Sequence, residues 1–316
     1  MRKIELLSIV VPCHNEEEVL LITHERLRKI LNLLRESGKL SNYEMVYIDN
    51  GSTDNTLQVL KKIFESDPHA RIIALRRNFG YQGSISAGLY YAQGDAVVTI
   101  DADLQDPPEK IEEMICYFEQ GYDLVLGIRK DRSTDSLVKK LFSENYYRLM
   151  KLIGVDIIHN HGDFRLMSKS LVQEFNTLSE RNRFIRAMIL QLESKYATVS
   201  YKRESRIAGQ SKFNVRSLFS LSLDGVISFS YVPLRLASLA GIFICFMALL
   251  GVFWVLYIKL LTNVVPGWAS TLLPIFGLGG FQLFVLGIIG EYIGRLYIEV
   301  KQRPVFIVRK EYTHDT

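Results

Sequence analysis

Hydrophobic and polar positions alternate in blocks along the first 130 residues. Short apolar runs rich in β-branched residues, at 6–12, 43–49, 70–77, 95–103 and 122–129, are typical of buried strands. Between these runs apolar residues recur at helical spacing, which predicts a helix after each of the first four strands. The alternation indicates an α/β domain with a mostly parallel central sheet and helices on both of its faces.

The ends of these helices also have recognisable signals. The first helix is predicted over residues 16–36, and Ser52, Thr53 or Asp54 could provide the N-cap of the second. The helix after the fourth strand is predicted to begin at two prolines and to end at Gly121.

The pattern changes near residue 231, where long apolar runs replace the alternation. No charge lies between Arg235 and Lys259, and a second uncharged run extends from Trp268 to Ile289. Each run is long enough to cross roughly 30 Å of hydrocarbon, although a buried core helix is the alternative. We therefore predict two transmembrane helices, about 235–260 and 268–293, inside a hairpin of residues 233–295.

The chain is thus divided into a polar domain of residues 1–212, an amphipathic juxtamembrane segment of 213–232, the hairpin, and a tail of 296–316. Basic residues flank the hairpin on both sides, so the positive-inside rule places both flanks in the cytoplasm. The N-terminal stretch lacks the pattern of a signal peptide, and we expect the polar domain to stay in the cytoplasm too.

Four polar clusters follow the first four predicted strands: CHNEEE, DNGSTD, RRNFGYQG and DADLQD. Because the carboxyl ends of parallel strands meet at one edge of a sheet, the clusters are expected to form a single site. The chain has no GxGxxG after its first strand and no GxxxxGK[ST], which argues against the usual dinucleotide fold and against a P-loop NTPase.

The cluster after the fourth strand favours a hard cation. Asp101, Asp103 and Gln105 offer only oxygen ligands, which suit Mg²⁺ or Mn²⁺, and such an ion would neutralise charge on a departing diphosphate. The alternative is an ordinary strand-to-helix turn in which Asp106 precedes two prolines. Asp49, which ends the second strand, could cap the next helix or accept hydrogen bonds from a base or a ribose.

Composition excludes some classes of protein. A formal net charge of +4 over 316 residues does not indicate a nucleic-acid binder. The three cysteines form no CxxC pair, which is typical of unpaired thiols in a reducing compartment rather than of disulfides or a zinc site.

The motifs SIVVPCHNEEE, YIDNGSTDNT, RNFGYQGSISAGL and DADLQDPPE resemble those of inverting family-2 glycosyltransferases with the GT-A fold. The resemblance is strongest to the polyprenyl-phosphate group, which includes the bactoprenol glucosyltransferases, dolichyl-phosphate mannose synthase and the aminoarabinose-transferring enzyme of lipid A modification. It continues through GDFRLMSK, RIAGQSKF and the segment 290–308. At His14 and Asn50 the chain departs from the tyrosine and the aspartate that such enzymes usually have.

Carried onto this sequence, the resemblance implies four sets of residues. The nucleotide-sugar set is Pro12, His14, Glu16, Asp49, Asp101, Ala102, Arg129, Arg206 and Lys212. The acceptor-phosphate set is Arg129, Arg165, Ser211 and Lys212, with Arg132 a weaker candidate. The catalytic set is Asp101, Asp103, Asp163 and Arg165, and the metal ligands are Asp103 and Gln105.

The resemblance also implies a reaction. A polyprenyl phosphate attacks the anomeric carbon of a nucleotide sugar with inversion, and since this acceptor is already anionic, no strong general base is needed. Transfer of glucose from UDP-glucose to undecaprenyl phosphate, with Mg²⁺ or Mn²⁺, is the favoured expectation. GDP-mannose, UDP-galactose, a UDP-N-acetylhexosamine or a UDP-aminopentose remain alternative donors, and a non-catalytic scaffold that binds polyprenyl lipid is the alternative of a different class.

The same resemblance implies a multi-pass protein of the bacterial inner membrane with its catalytic domain and both termini in the cytoplasm. It also implies a homo-oligomer, for which relatives suggest a tetramer, and no nucleic-acid partner.

Overall fold

The computed structural model describes residues 2–130, 158, 160–181, 183–202, 204, 232–261 and 268–314. Contacts divide them into two compact units, of which the first holds the described residues up to 204 together with 303–314. The second unit holds the described residues from 232 to 302. Four predicted site residues, Arg132, Arg206, Ser211 and Lys212, and almost all of the predicted amphipathic segment lie outside the described residues.

The strands of the first unit are β1 (Ile4–Cys13), β2 (Leu40–Asp49), β3 (Ala70–Leu75), β4 (Ala96–Thr99), β5 (Leu124–Arg129), β6 (His161–Ser168), β7 (Tyr196–Tyr201) and β8 (Val308–Tyr312). Among the described residues they form one sheet in the order β7-β5-β6-β4-β1-β2-β3-β8. Strand β6 runs antiparallel to β4 and β5, and β8 runs antiparallel to β3. The other neighbours are parallel, which confirms the predicted mostly parallel sheet.

The helices of this unit are α1 (Leu20–Glu36), α2 (Thr56–Ser66), α3 (Gly80–Tyr91), α4 (Ile111–Glu119), α5 (Lys169–Thr177) and α6 (Ile185–Leu192), and a short 3₁₀ turn spans Pro108–Lys110. Helix α1 contacts α2 and the 3₁₀ turn, whereas α3 contacts α5, which contacts α6. Two separate groups of helices are what the predicted packing on both faces of the sheet requires.

The middle of the sheet is closed to water because its strands are apolar at successive positions. The last seven residues of β1 and of β2 are buried, as are all four residues of β4. A parallel strand that is covered on both faces needs such continuous apolar sequence. Apart from Ser8 and Glu44, which bond to each other at 2.5 Å, the buried polar side chains of these three strands lie at their ends.

Two helix starts differ from the prediction. Helix α1 begins at Leu20 rather than at residue 16, because the N–H groups of Val19 and Leu20 both bond to the carbonyl of Glu16 in a preceding turn. Helix α2 begins at Thr56 with Asn55 at the N-cap position and no side-chain cap. The predicted caps were wrong by one or more residues, since Asp54 accepts instead from the N–H of Thr56, at 3.0 Å, inside the turn.

The end of the chain contributes to the sheet, which the sequence did not indicate. Strand β8 pairs with the edge of β3, and Arg71 of β3 binds Glu311 of β8 at 3.0 Å. His314 stacks on Phe64 of α2, with ring centroids 3.9 Å apart. Part of the predicted tail therefore belongs to the first unit.

The second unit contains α7 (Val232–Leu261) and α8 (Trp268–Val300). Within the part of the chain that the structure describes, no helix has the length and apolar character needed to cross a membrane. The transmembrane hairpin stays a prediction.

Candidate active site

The predicted polar clusters lie at one edge of the sheet. Cys13, the last residue of β1, pairs in register with Asp49, the last residue of β2, and the N–H of Asn50 donates to the carbonyl of Cys13 at 2.9 Å. Strand β4 lies on the other side of β1 and runs parallel to it, ending at Thr99. The clusters that follow these strands therefore begin beside one another.

Side chains join the clusters directly. The N–H of Asn15, in the first cluster, donates to the hydroxyl of Ser52 in the second, at 3.2 Å. Asn50 of the second cluster donates to Asn78 of the third, at 3.2 Å. Tyr81 of the third cluster donates to Asp101 of the fourth, at 2.6 Å. The prediction that the clusters converge is confirmed.

Asp49 is buried at the end of β2, with 3 % of its surface exposed. Its Oδ1 accepts from the N–H of Ser52 at 3.1 Å, so one carboxylate oxygen stabilises the turn that precedes α2. Asp49 does not cap α2, which has Asn55 at its N-cap position and no side-chain cap, and its role in base recognition stays a prediction. Pro12 lies two positions before the end of β1, and His14 and Glu16 lie just beyond it.

Asp101 sits among other carboxylates. Burial raises its pKa to about 7, and the nearby charges of Asp106 and Asp163 act in the same direction, while the hydrogen bond from Tyr81 opposes them. A carboxylate with this pKa is energetically costly to ionise at neutral pH unless a cation reaches it, which is typical of functional sites.

The backbone after Asp101 is fixed by contacts on both sides. The hydroxyl of Thr23, on α1, donates to the carbonyl of Ala102 at 2.6 Å. Leu104 is fully buried and has a φ of +54°, a left-handed conformation that a leucine rarely adopts. The N–H of Gln105 donates to Oδ1 of Asp103 at 3.2 Å. The two predicted metal ligands are thus held in one tight turn.

Asp163 and Arg165, on β6, form a buried ionic group with Arg186 of α6. Arg165 donates to Oδ1 of Asp163, and Nη2 of Arg186 lies 2.5 Å from Oδ2. Burial alone would raise the pKa of Asp163, but Arg186 and Arg165 hold it well below its ordinary value. The two arginines therefore favour the ionised form of Asp163, which makes it a poor proton acceptor at neutral pH.

Arg165 itself is fully buried. Its Nη1 has no hydrogen-bond partner among the described residues. Leaving a buried donor of a charged group without a partner costs about 1–3 kcal/mol or more, so the arrangement is favourable only if something accepts from it. The guanidinium of Arg165 therefore has a donor available for an anion.

Arg129, at the end of β5, is held by a second buried acid. Its Nη2 lies 3.2 Å from both carboxylate oxygens of Asp106, and the hydroxyl of Tyr201 donates to Asp106 at 2.7 Å. Asp106 has only 1 % of its surface exposed, so it is more than the turn residue that the sequence indicated. The pKa of Arg129 is raised, since the attraction of Asp106 outweighs the effect of burial.

Several of these residues were missed by sequence reasoning. Tyr81 lies inside a motif that was recognised, but the pattern gives no sign of its contact with Asp101. Arg186 is the single charged residue in the apolar run IRAMILQL, and this isolated charge was the only sequence feature that could have indicated a role for it. Tyr201 lies beside Arg129 through the pairing of β5 with β7, and both side chains contact Asp106 from there.

The side-chain oxygens of Asp103 and Gln105 suit a divalent cation whose remaining ligands come from a bound substrate. Among the described residues, no group of three or more His, Cys, Asp or Glu side chains could hold a metal ion by itself. Mg²⁺ is commonly bound by one or two protein oxygens together with substrate phosphates. The two side chains can serve such an ion only if a diphosphate supplies further ligands.

Comparison with known proteins defines the family. The model of glycosyl transferase family 2 matches residues 8–175, which is more than half of the chain. The uncharacterized glycosyltransferase YkcC of Bacillus subtilis is 42 % identical over 307 residues, covering 96 % of this chain and 94 % of its own. The SfII prophage-derived bactoprenol glucosyl transferase of Shigella flexneri is 41 % identical over 308 residues, covering 97 % and 98 %.

One similar solved structure is that of glucosyl-3-phosphoglycerate synthase of Mycobacterium tuberculosis in complex with Mn²⁺, UDP-glucose and phosphoglyceric acid. The similarity covers 71 % of this chain and 78 % of the synthase chain. The TM-score is 0.47 and the identity is 19 %.

The family match and these relatives define a glycosyltransferase, and its α/β fold has the mostly parallel sheet that the sequence predicted. The chain belongs to glycosyl transferase family 2, as the motifs predicted.

Proposed function

We propose that the protein transfers a hexose, glucose first among the candidates, from a nucleotide sugar such as UDP-glucose to undecaprenyl phosphate or another polyprenyl phosphate. The names of relatives about 40 % identical over nearly the whole chain support this acceptor and this sugar. The structural observation that carries the proposal is Nη1 of Arg165, which has no hydrogen-bond partner among the described residues and lies in a fully buried guanidinium beside an ionised acid.

The buried ionic groups support a reaction between two anions. An attacking phosphate and a departing diphosphate repel each other, and cations fixed in a dry site reduce that repulsion without reorganising. Arg165, Arg186 and Arg129 are each held by a buried carboxylate, which orients their guanidinium groups. Asp163 acts as the anchor of two of them, and the reaction needs no proton from the lipid phosphate.

A divalent ion, Mg²⁺ or Mn²⁺, is part of the proposal. Asp103 and Gln105 would hold it together with the diphosphate of the donor substrate. When bound, the ion supplies positive charge that stabilises the leaving nucleoside diphosphate. The pKa of Asp101 is about 7, and any cation that reaches the same turn would stabilise its ionised form.

We also propose that the second unit attaches the enzyme to the bacterial inner membrane, with the catalytic unit and both termini in the cytoplasm. The uncharged runs of α7 and α8 support this location. Large apolar side chains on α7, such as Ile242, Phe243 and Phe253, have more than 60 % of their surface exposed and would gain from an apolar surrounding. A homo-oligomer remains part of the proposal by resemblance alone.

The test is lipid-dependent release of a nucleoside diphosphate. The full chain in detergent is assayed with undecaprenyl phosphate, Mg²⁺ or Mn²⁺, and a panel of UDP- and GDP-sugars. We expect release to need the lipid, the metal and Asp103, so that Asp103→Ala reduces it to background. Glu113→Ala is the matched control, because Glu113 is a surface acid of α4 that pairs with Lys110 at 2.6 Å.

The donor that gives the fastest release names the sugar and the base. Another sugar in place of glucose would correct the donor and leave the reaction class intact. If no donor is turned over by a folded protein that still binds metal and nucleotide, the scaffold that binds polyprenyl lipid replaces the transferase as the explanation.

A further inference from the structure

Asn50 is held in one orientation by the backbone of the third cluster. Its Oδ1 accepts from the N–H of Phe79 at 2.9 Å, and its Nδ2 donates to the carbonyl of Gly80 at 3.0 Å. A backbone N–H can only donate and a backbone carbonyl can only accept, so the two ends of the amide are assigned without ambiguity. Asn50 is buried, with 4 % of its surface exposed.

Asn78 is oriented by the same reasoning. Its Oδ1 accepts from the N–H of Gly80 at 2.7 Å and from Nδ2 of Asn50 at 3.2 Å. Its Nδ2 is therefore the end that faces His14, where it lies 3.0 Å from Nε2. Since an amide NH₂ has no acceptor capacity, Nε2 of His14 must be the acceptor. The ring is then neutral and carries its proton on Nδ1.

The backbone leaves this arrangement little freedom. Gly51 has a φ of +62°, and a Cβ at that position would lie 2.4 Å from the carbonyl carbon of Arg77. The turn after β2 thus packs directly against the segment that carries Asn78. An aspartate at position 50 would direct a carboxylate at the carbonyl of Gly80, so the amide is required for the contact as it stands.

We propose that Asn78, oriented by Asn50, is a positioning residue for nucleotide binding. Its amide holds the imidazole ring of His14 in one orientation and in the neutral tautomer that carries its proton on Nδ1. This deepens the proposed function and rests on it, because the family resemblance implies that His14 lines the nucleotide pocket. The donor substrate is a nucleoside diphosphate, and its nucleoside meets an uncharged imidazole. The chain of bonds from Asn50 through Asn78 to His14 is called the amide relay below.

The substitution Asn78→Asp tests the bond to His14 without removing the other hydrogen bonds of the loop. An aspartate at 78 can still accept from the N–H of Gly80 and from Asn50, but it can no longer donate to His14. It favours a proton on Nε2 instead. The loop contacts are retained and only the last bond of the relay is reversed.

The experiment measures affinity for UDP and GDP by titration calorimetry on the full chain in detergent. We expect Asn78→Asp to weaken binding of the preferred nucleotide about three- to tenfold, which is the effect of one hydrogen bond. Asn42→Asp adds the same charge at an exposed site on β2 and should change nothing. In a His14→Phe background Asn78→Asp should add no further loss, because the relay acts through the ring.

A spectroscopic readout separates positioning from a general loss of structure. In protein labelled with ¹⁵N-histidine, His14 is assigned by comparison with His14→Phe, and its ring nitrogens should report Nδ1–H in the wild type. Asn78→Asp should move the proton to Nε2 or protonate both nitrogens. Should Asn78→Asp fail to fold, Asn78→Ala removes the donor without adding charge and is measured in the same way.

An unchanged tautomer, or an equal loss of affinity with and without His14, would overturn the relay. Failure of the proposed function is a different outcome, in which the wild type binds neither nucleotide. In that case the ¹⁵N signals of the His14 ring still show whether Asn78 sets the tautomer, so the amide relay can be tested separately.

Discussion

The hydroxyl of Tyr81 donates to Oδ1 of Asp101 across a distance of 2.6 Å, and this bond joins the start of α3 to the turn after β4. Tyr81 also lies close enough to Asp163 and Arg165 for their charges to influence its pKa, which burial raises well above its ordinary value. The tyrosine therefore lies between the acidic turn and the buried ionic group of β6.

Tyr81→Phe removes the bond and keeps the ring. Because one of the contacts that orient Asp101 is lost, we expect kcat to fall about three- to tenfold, while the free energy of unfolding changes by about 1 kcal/mol or less. Steady-state kinetics and urea unfolding of the full chain measure the two effects. Tyr90→Phe, an exposed change on the same helix, is the matched control and should leave kcat unaltered.

The two arginines that bind Asp163 should differ in their effect on stability. Arg165 is fully buried, whereas the side chain of Arg186 is 33 % exposed. Removing a partner from a buried ion pair costs about 3–5 kcal/mol, and exposed pairs are worth about 1 kcal/mol or less. We expect Arg165→Met to lower the free energy of unfolding by several kcal/mol and Arg186→Met by about 1 kcal/mol, with activity reduced in both.

Arg183→Met provides the control for that comparison. Arg183 donates to the carbonyls of Leu178 and Glu180 and has no part in the ionic group. Equal destabilisation by Arg165→Met and Arg186→Met in urea titrations would contradict the view that burial determines the strength of these pairs.

The alternation of strands and helices was readable because β1 to β5 carry β-branched, apolar sequence. Strand β6 was missed for the opposite reason, since its buried positions include His161, Asp163 and Arg165. A burial signal based on apolar residues cannot detect a strand whose interior is charged. Strand β8, with the sequence VRKEY, was missed because it is an exposed edge strand that depends on β3 for its pairing.

The sequence predicted which site residues lie at the strand ends, but not which side chains they contact. The sequence places Asp49, Asp101 and Asp103 at one edge because parallel strands end together. It does not indicate that Arg129 is bound to Asp106, or that Arg186 reaches Asp163 from a helix 23 residues further along. Such pairs depend on how β5, β6 and α6 pack together, which no local pattern determines.

Two glycines with positive φ offer a test of close packing. Gly51 has a φ of +62° and no room for a Cβ, whereas Gly38 has a φ of +73° and nothing within 4 Å of that position. Gly38→Ala should cost only the strain of the left-handed conformation, about 1–2 kcal/mol. Gly51→Ala should cost more, because the backbone of Arg77 must also move, and nucleotide affinity should fall with it. Thermal unfolding and UDP titration check both effects, and similar losses in the two variants would argue against tight packing at Gly51.

The contribution of His161 to stability should fall as the pH drops below about 6.5. Burial lowers the pKa of this histidine well below its ordinary value of 6.5, and the charges of Arg165 and Arg186 act in the same direction. Between the two values the unfolded chain binds a proton that the folded chain does not. This contribution to the free energy of unfolding therefore rises with pH in that window, by up to about 1.4 kcal/mol per pH unit for one proton.

His24 should contribute with the same sign, because burial lowers its pKa as well. His161→Leu removes one of the two protons, and neither ring nitrogen of His161 has a hydrogen-bond partner among the described residues, so no bond is lost there. Asp101 opposes both histidines, because its pKa of about 7 makes the folded chain bind a proton that the unfolded chain lacks in this range. We expect His161→Leu to reduce the slope of the unfolding free energy against pH between pH 6.5 and 5.5 by up to about 1.4 kcal/mol per pH unit, as measured by urea titration at each pH. A slope equal to that of the wild type would mean that His161 is already protonated in the folded protein, and that its proximity to Arg165 does not keep it neutral.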